Sequence, residues 1–247
     1  MAHGKRYRKQ LGKVQRERAY PPAEAIALLK ETASANFDET VELHVLLGVN
    51  VRHAEEQLRG TLALPHGLGK NVTVAVFAQG QQARDAEAAG ADFVGGDDLA
   101  KKVEEEGWTG FDVAIATPQM MGTVGKLGRV LGPQGKMPNP KVGTVTDDVE
   151  KAVADSKSGK VEYRTDRQAI VHMSIGKASL EPDKLLENFN AVMEEIVRAK
   201  PAAAKGRYIV SCTVTTTMGP GIRVDASKIG DRDEVAATQA AEEPVTA

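Results

Sequence analysis

Residues 72–116 read VTVAVFAQGQQARDAEAAGADFVGGDDLAKKVEEEGWTGFDVAIA. Val72 to Ala78 is a near-continuous apolar strand, and Gln81–Ala89 follows with helical character. Gly90-Ala-Asp-Phe-Val, a charged helix over 98–106 and a second apolar strand at Phe111–Ala116 complete the stretch. Apolar strands alternating with helices at this spacing predict a small parallel sheet covered on both faces. Glycines mark its margins, Gly67 and Gly69 on entry and Gly159 on exit. Residues 70–158 therefore read as an inserted Rossmann-like domain, and two adjacent chain crossings make a natural hinge.

The flanking sequence has a different period. Val41, Leu43, Val45, Leu47 and Val49 alternate with Thr40, Glu42, His44 and Leu46, which is a half-buried strand with a largely polar second face. Residues 208–217 repeat the pattern. Tyr208, Val210, Cys212 and Val214 share one side; Ser211, Thr213, Thr215 and Thr217 take the other, with Ile209. Lys160–Arg164 and Gln168–Ile175 read as a hairpin turning through Thr165-Asp166-Arg167. Pro21 and Pro22 open a helix with Ala25, Ile26, Leu28 and Leu29 on its apolar face. Leu185, Phe189, Val192, Met193, Ile196 and Val197 give a longer one between Pro182 and Lys200. The class is α/β: a split α+β outer domain (1–69 and 159–228, antiparallel sheet with helices) around the parallel insertion. Residues 229–247, poor in apolar side chains and rich in Ala and Glu, read as a disordered acidic tail.

A chain of 247 residues with 41% hydrophobic and 27% charged residues is ordinary for a globular protein. The single cysteine, Cys212, excludes an internal disulfide and fits a reducing compartment. No apolar run approaches the ~20 residues of a membrane span, and the charged N-terminus is unlike a secretory signal. These features predict a cytoplasmic protein without a membrane partner. The net charge of −2 averages unlike parts. Residues 1–18 carry seven cations, among them Lys5, Arg6 and Arg8, against Glu17 alone, whereas 225–247 are acidic. A basic arm of this kind suits nucleic acid.

Two motifs carry the functional reading. Gly125–Thr144, GKLGRVLGPQGKMPNPKVGT, holds five glycines, three prolines and the cations Lys126, Arg129, Lys136 and Lys141, with no acid. Glycine exposes backbone N–H groups, proline stiffens the path and spaced cations meet phosphate, so the segment reads as a polyanion-binding loop. Thr215-Thr-Thr-Met-Gly-Pro220 is either a β-branched strand ending in an ordinary turn or a set of hydroxyls, an adaptable Met218 and a close-approach Gly219 for RNA.

A nucleotide enzyme using the inserted sheet is the rival reading. No GxGxxG follows the strand at 72–78, and Gly135-Lys136 lacks the glycine at 130 and the Ser or Thr at 137 that a phosphate loop needs. The five histidines lack metal-ligand spacing, and Cys212 aligns with apolar neighbours as a structural thiol. No catalytic residue, metal, cofactor or small-molecule substrate is expected. His172, on the polar side of its strand, reads as a surface histidine or an RNA contact. A third reading is a general polyanion binder without sequence preference.

The sequence resembles the bacterial ribosomal protein L1 family of the large subunit. The matching pieces are His3-Gly-Lys-Arg-Tyr7, Phe37-Asp-Glu-Thr-Val-Glu42, Arg59-Gly-Thr-Leu, Leu64-Pro-His-Gly-Leu-Gly-Lys70, Gly90-Ala-Asp, Val94-Gly-Gly, Gly125–Thr144 and Thr215–Pro220, in the family's order. The resemblance implies the split architecture and binding to the stalk region of large-subunit rRNA. It places the site on Phe37, Thr217, Met218 and Gly219, supported by Thr40, Glu42 and Ser211. It also implies help in moving deacylated tRNA from the exit site, and repression of the protein's own operon mRNA, which copies the rRNA site. The Gly125–Thr144 cations then become a secondary contact or an interdomain brace. Asn36 stands where many relatives carry lysine, and the acidic tail has no counterpart in shorter members.

Overall fold

The alternation at 40–49 becomes the centre of a four-stranded antiparallel sheet. The structure is a computed structural model and describes residues 4–225; the tail expected at 229–247 lies outside the described residues. Strand β1 (Thr40–Leu47) pairs on one edge with β7 (Ile170–Lys177) and on the other with β8 (Ile209–Thr216), which is followed outward by β9 (Ile222–Val224). Burial alternates strictly along β1, with Val41, Leu43, Val45 and Leu47 inward. Two helices cover that side. Helix α2 (Pro22–Thr32) buries Ala25, Ile26 and Leu29; α8 (Pro182–Arg198) buries Leu185, Phe189, Val192, Met193 and Ile196. Ahead of them, α1 (Lys5–Leu11) buries nothing.

The insertion is built on β3 (Val74–Phe77), whose four residues are all buried because both faces are covered. Val74 and Val76 point into one core and Ala75 and Phe77 into another, as a period of two demands. The chain continues through α3 (Gln81–Ala88), β4 (Phe93–Gly95), α4 (Asp97–Glu106) and β5 (Val113–Ala116) to a parallel sheet of order β4-β3-β5. With β3 central, the two crossovers run in opposite directions, and a constant handedness puts their helices on opposite faces. Helix α7 (Val149–Lys157) joins α3 on one face; α4 shares the other with α5 (Met121–Val124) and α6 (Gly128–Leu131).

Between the two sheets runs an antiparallel ribbon, β2 (Arg59–Ala63) with β6 (Lys160–Arg164). Here the expected hairpin is corrected. Strand β6 pairs with β2, and a lone bridge, Thr165 to Val171, joins it towards β7. Asp166 accepts the N–H groups of Gln168 and Ile170, both at 2.8 Å, and Ala169 is left-handed (φ 62°), so the chain turns a corner and leaves one sheet for another. A second correction concerns Val210. The β1–β8 register slips between Leu46 and Leu47, so Leu46 faces Ser211 and Leu47 faces Ile209. Val210 is thrown outward as a bulge, exposed instead of sharing the side of Cys212. Val197, expected on the apolar face of α8, is also exposed.

The ribbon ends where the chain enters and leaves the insertion. Gly67, Gly69 and Gly159 all have positive φ, and a Cβ on Gly159 would lie 2.7 Å from the Gly67 Cα. The two passes are thus too close for a side chain at that point. Asn188 of α8, fully buried, holds the entry: its carbonyl oxygen accepts from His66 N–H at 3.1 Å, and its amide donates to Gly67 O at 3.0 Å and Ile175 O at 2.8 Å.

Candidate nucleic-acid interface

With α2 and α8 on one side, no described helix covers the other side of the four-stranded sheet. Its residues fall into rows across β7, β1 and β8: Ser174–Glu42–Thr215, then His172–His44–Thr213, then Ile170–Leu46–Ser211. Arg223 of β9 extends the middle row beside Thr213. Hydroxyls, imidazoles and one carboxylate on a pleated surface can meet ribose and phosphate oxygens and base edges.

At one end of this face, β1 begins and β8 finishes in a tight turn. Thr217 N–H donates to Thr40 O at 3.1 Å, while Thr40 N–H donates to the Thr217 hydroxyl at 3.0 Å. Gly219 N–H closes the turn on Thr216 O at 3.1 Å. A Cβ at Gly219 would collide with the Thr216 hydroxyl, so glycine is required by close approach. The turn leaves Met218 61% exposed, and the preceding loop leaves Phe37 56% exposed. Two large apolar side chains are thus held in water beside backbone hydrogen bonds at one end of the face.

Glu39 explains how this surface is held. Its side chain is only 2% exposed, yet its carboxylate accepts the N–H groups of Ser34 at 2.8 Å, Ala35 at 2.7 Å and Met218 at 2.9 Å. Burial alone would raise this carboxyl; the N–H donors of Met218, Ala35 and Ser34 outweigh it and hold Glu39 below the usual carboxylate range. One buried acid thus ties the Phe37 loop to the Met218 turn. Arg6 of α1 donates to the Ser34 hydroxyl at 3.0 Å, and Lys13 to Glu31 O at 3.2 Å, which brings the basic helix to the same end. Lys177 adds a cation there, donating to the Thr40 hydroxyl at 2.8 Å.

The structure therefore gathers Phe37, Thr40, Thr217, Met218, Gly219 and the helix of Lys5, Arg6 and Arg8 at one end. Glu42 stands one row in. Ser211 lies in the row with Leu46, towards the opposite end of β1. Glu39, Lys177 and Asn188 were missed by reasoning from sequence. Glu39 shares the parity of Val41 and Leu43, and a carboxylate on the core side of a strand must find donors. That parity was the available signal.

Gly125–Thr144 is not wholly the surface loop that its composition suggests. Its first half is helical, and Leu127 and Leu131 are buried against the parallel sheet. Lys136 points inward, donating to Phe111 O at 2.6 Å and Thr109 O at 3.0 Å and lying over the Phe111 ring. Lys126 and Arg129 are exposed, and Lys141 sits in a short helical turn, Pro140–Val142. Gly135, Lys136, Met137, Gly143 and Thr144 line a cleft of about 200 Å³ whose other wall is Thr61, Lys160 and Glu162 of the ribbon. The segment faces that cleft.

Among the described residues no cluster of three or more His, Cys, Asp or Glu could hold a metal, and no helix is long and apolar enough to cross a membrane. Cys212 is buried, and burial pushes its thiol up to about 12.

A pleated polar face with exposed Phe and Met at one end and a basic helix at its margin has the chemistry that suits nucleic acid. The family comparison narrows the class. Residues 29–220 match the family described as ribosomal protein L1p/L10e, and the chain belongs to that family. It is a structural, RNA-binding protein of the large ribosomal subunit, from a family that is not one of enzymes. The match spans both the Phe37 loop and the Met218 turn, and leaves the basic helix α1 outside.

Proposed function

We propose that this chain binds the stalk region of large-subunit rRNA through the surface of Phe37, Thr40, Glu42, Thr217, Met218 and Gly219. Lys5, Arg6 and Arg8 neutralise phosphate beside it, and Ser211 extends the contact along the sheet. The observation that carries this reading is the Glu39 carboxylate, which ties the backbone of the loop leading to Phe37 to that of Met218 before any partner arrives. Preorganisation of that kind lowers the ordering cost of binding. In the same reading the protein helps deacylated tRNA leave the exit site and represses its own operon mRNA by presenting this surface to a copy of the rRNA site. It acts in the cytoplasm, without cofactor or catalytic group. Its two domains, 1–69 with 159–228 and 70–158, hinge at Gly67, Gly69 and Gly159.

A salt-series titration against a stalk rRNA fragment and a scrambled RNA of equal length tests the proposal. Selective binding that persists at high salt is expected, with a log–log slope of roughly 0.7–0.9 per phosphate contact. Equal binding to both RNAs, collapsing together as salt rises, would leave only a general polyanion binder.

A further inference from the structure

Midway along the open sheet face lies a cluster that the Met218 turn does not use. His44 and His172 meet Nδ1 to Nδ1 at 2.8 Å, their rings edge-on with centroids 5.0 Å apart. Such a contact is a hydrogen bond only when one nitrogen carries a proton and the other does not. Each outer nitrogen faces a carboxylate: His172 Nε2 lies 3.4 Å from Asp166 Oδ2, and His44 Nε2 lies 3.6 Å from Glu42 Oε2. With His172 donating through Nε2 to Asp166, its Nδ1 is the acceptor and His44 donates from Nδ1. A neutral His44 then turns a bare Nε2 towards the Glu42 carboxylate. The chain Glu42–His44–His172–Asp166 is one proton short of joining a donor to an acceptor at every contact. A second added proton would set two N–H groups head to head, so the pair has room for one.

The surroundings decide when that proton is taken. Glu42 faces the pair from β1, Asp166 from the corner between β6 and β7, Thr213 from β8, and Arg223 from β9 beside Thr213. The helices lie on the other side of the sheet. The Ile170 N–H first, with those of Gln168 and the His172 ring, holds Asp166 below the usual carboxylate range, so it stays ionised. Burial first, and then His172, holds His44 below the ordinary histidine value, against the pull of Glu42. Docked phosphate adds negative charge to this face and shifts the balance towards the imidazolium.

We propose that the His44–His172 pair is a proton-linked RNA contact: phosphate docking on the open sheet face is accompanied by proton uptake at the pair. This rests on the reading of that face as the rRNA site. Because the proton is bound more tightly in the complex, affinity rises as pH falls through the complex's pKa. It levels off below that of the free pair.

Calorimetric titration of the full chain with the stalk rRNA fragment, in two buffers of different ionisation enthalpy, reads the proton directly. Between about pH 8 and about pH 6, uptake should climb from near zero to a maximum of about half a proton per complex, with Kd tightening by up to about tenfold, for a one-unit rise in pKa. His172→Gln and His44→Gln, both on the open face, should each abolish the uptake and flatten the pH slope. Absence of uptake in the wild type, or the same uptake in both variants, overturns the proposal while leaving selective RNA binding intact. Loss of selective binding by the wild type at about pH 8 would instead overturn the rRNA reading, and this inference with it.

Discussion

The Thr217–Gly219 turn and the Gly125–Thr144 segment invert the expectation that their compositions raise. The segment has four cations, five glycines and no acid, the profile of a phosphate-binding loop. Yet its leucines enter a core and Lys136 is spent on two carbonyls and an aromatic ring. The turn carries no charge at all, and it presents Met218 to solvent with Phe37 nearby in the fold. What separates them is where their hydrogen bonds go. In the segment the cation satisfies the protein's own carbonyls; in the turn a buried anion satisfies the backbone, and the side chains are left over for a partner.

The largest effect is expected where that buried anion is removed. Glu39→Ala strands three backbone N–H groups and should cost about 3 kcal/mol of stability, read as a lower denaturant midpoint. Glu39→Gln, which keeps the volume and one acceptor, should lose less. Equal stability of both variants and the wild type would break the account of the turn. The same carboxylate gives a pH signature. Its folded pKa is depressed below the ordinary 4.5, so its contribution is present above that value and is lost as pH falls through the lower folded pKa. The acid limb of the stability curve should therefore be shallower in Glu39→Gln than in the wild type.

Next in size is Asn188→Leu, which removes one acceptor and two donors at the entry to the insertion. A loss of about 2 kcal/mol is expected, because His66 N–H and two carbonyls lose their partners in a buried place. Wild-type stability in this variant would show that the entry needs no pin. A smaller loss, about 1–2 kcal/mol, should follow Lys136→Met, and binding to the stalk rRNA fragment should not change. Weakened RNA binding with full stability would return the segment to the interface and dissolve the contrast between the two regions.

Much of this was legible in residue spacing. The alternation at 40–49 and the apolar run at 72–78 gave the two sheets, because each face of a strand records its own solvent. The β6–β7 corner was not legible. Lys160–Arg164 reads the same whether it pairs with its neighbour in sequence or with Arg59–Ala63, and only the Asp166 turn and left-handed Ala169 decide. The Val210 bulge escaped for a related reason, since a single extra residue shifts parity without changing composition. In the site, Phe37, Thr217, Met218 and Gly219 came from family resemblance. Glu39 stood inside the same quoted motif, where its parity with Val41 already placed it indoors.

The central claim is that RNA selectivity resides in the Phe37–Met218 surface and not in the cation-rich segment. Titrating one stalk rRNA fragment at one salt concentration with Met218→Asp and with the double variant Lys126→Gln/Arg129→Gln tests it most directly. The account predicts a loss of about tenfold or more for Met218→Asp, more than about 1 kcal/mol, and less than about threefold for the double variant, with both proteins folded. Full affinity in Met218→Asp, with a large loss in the double variant, would contradict it.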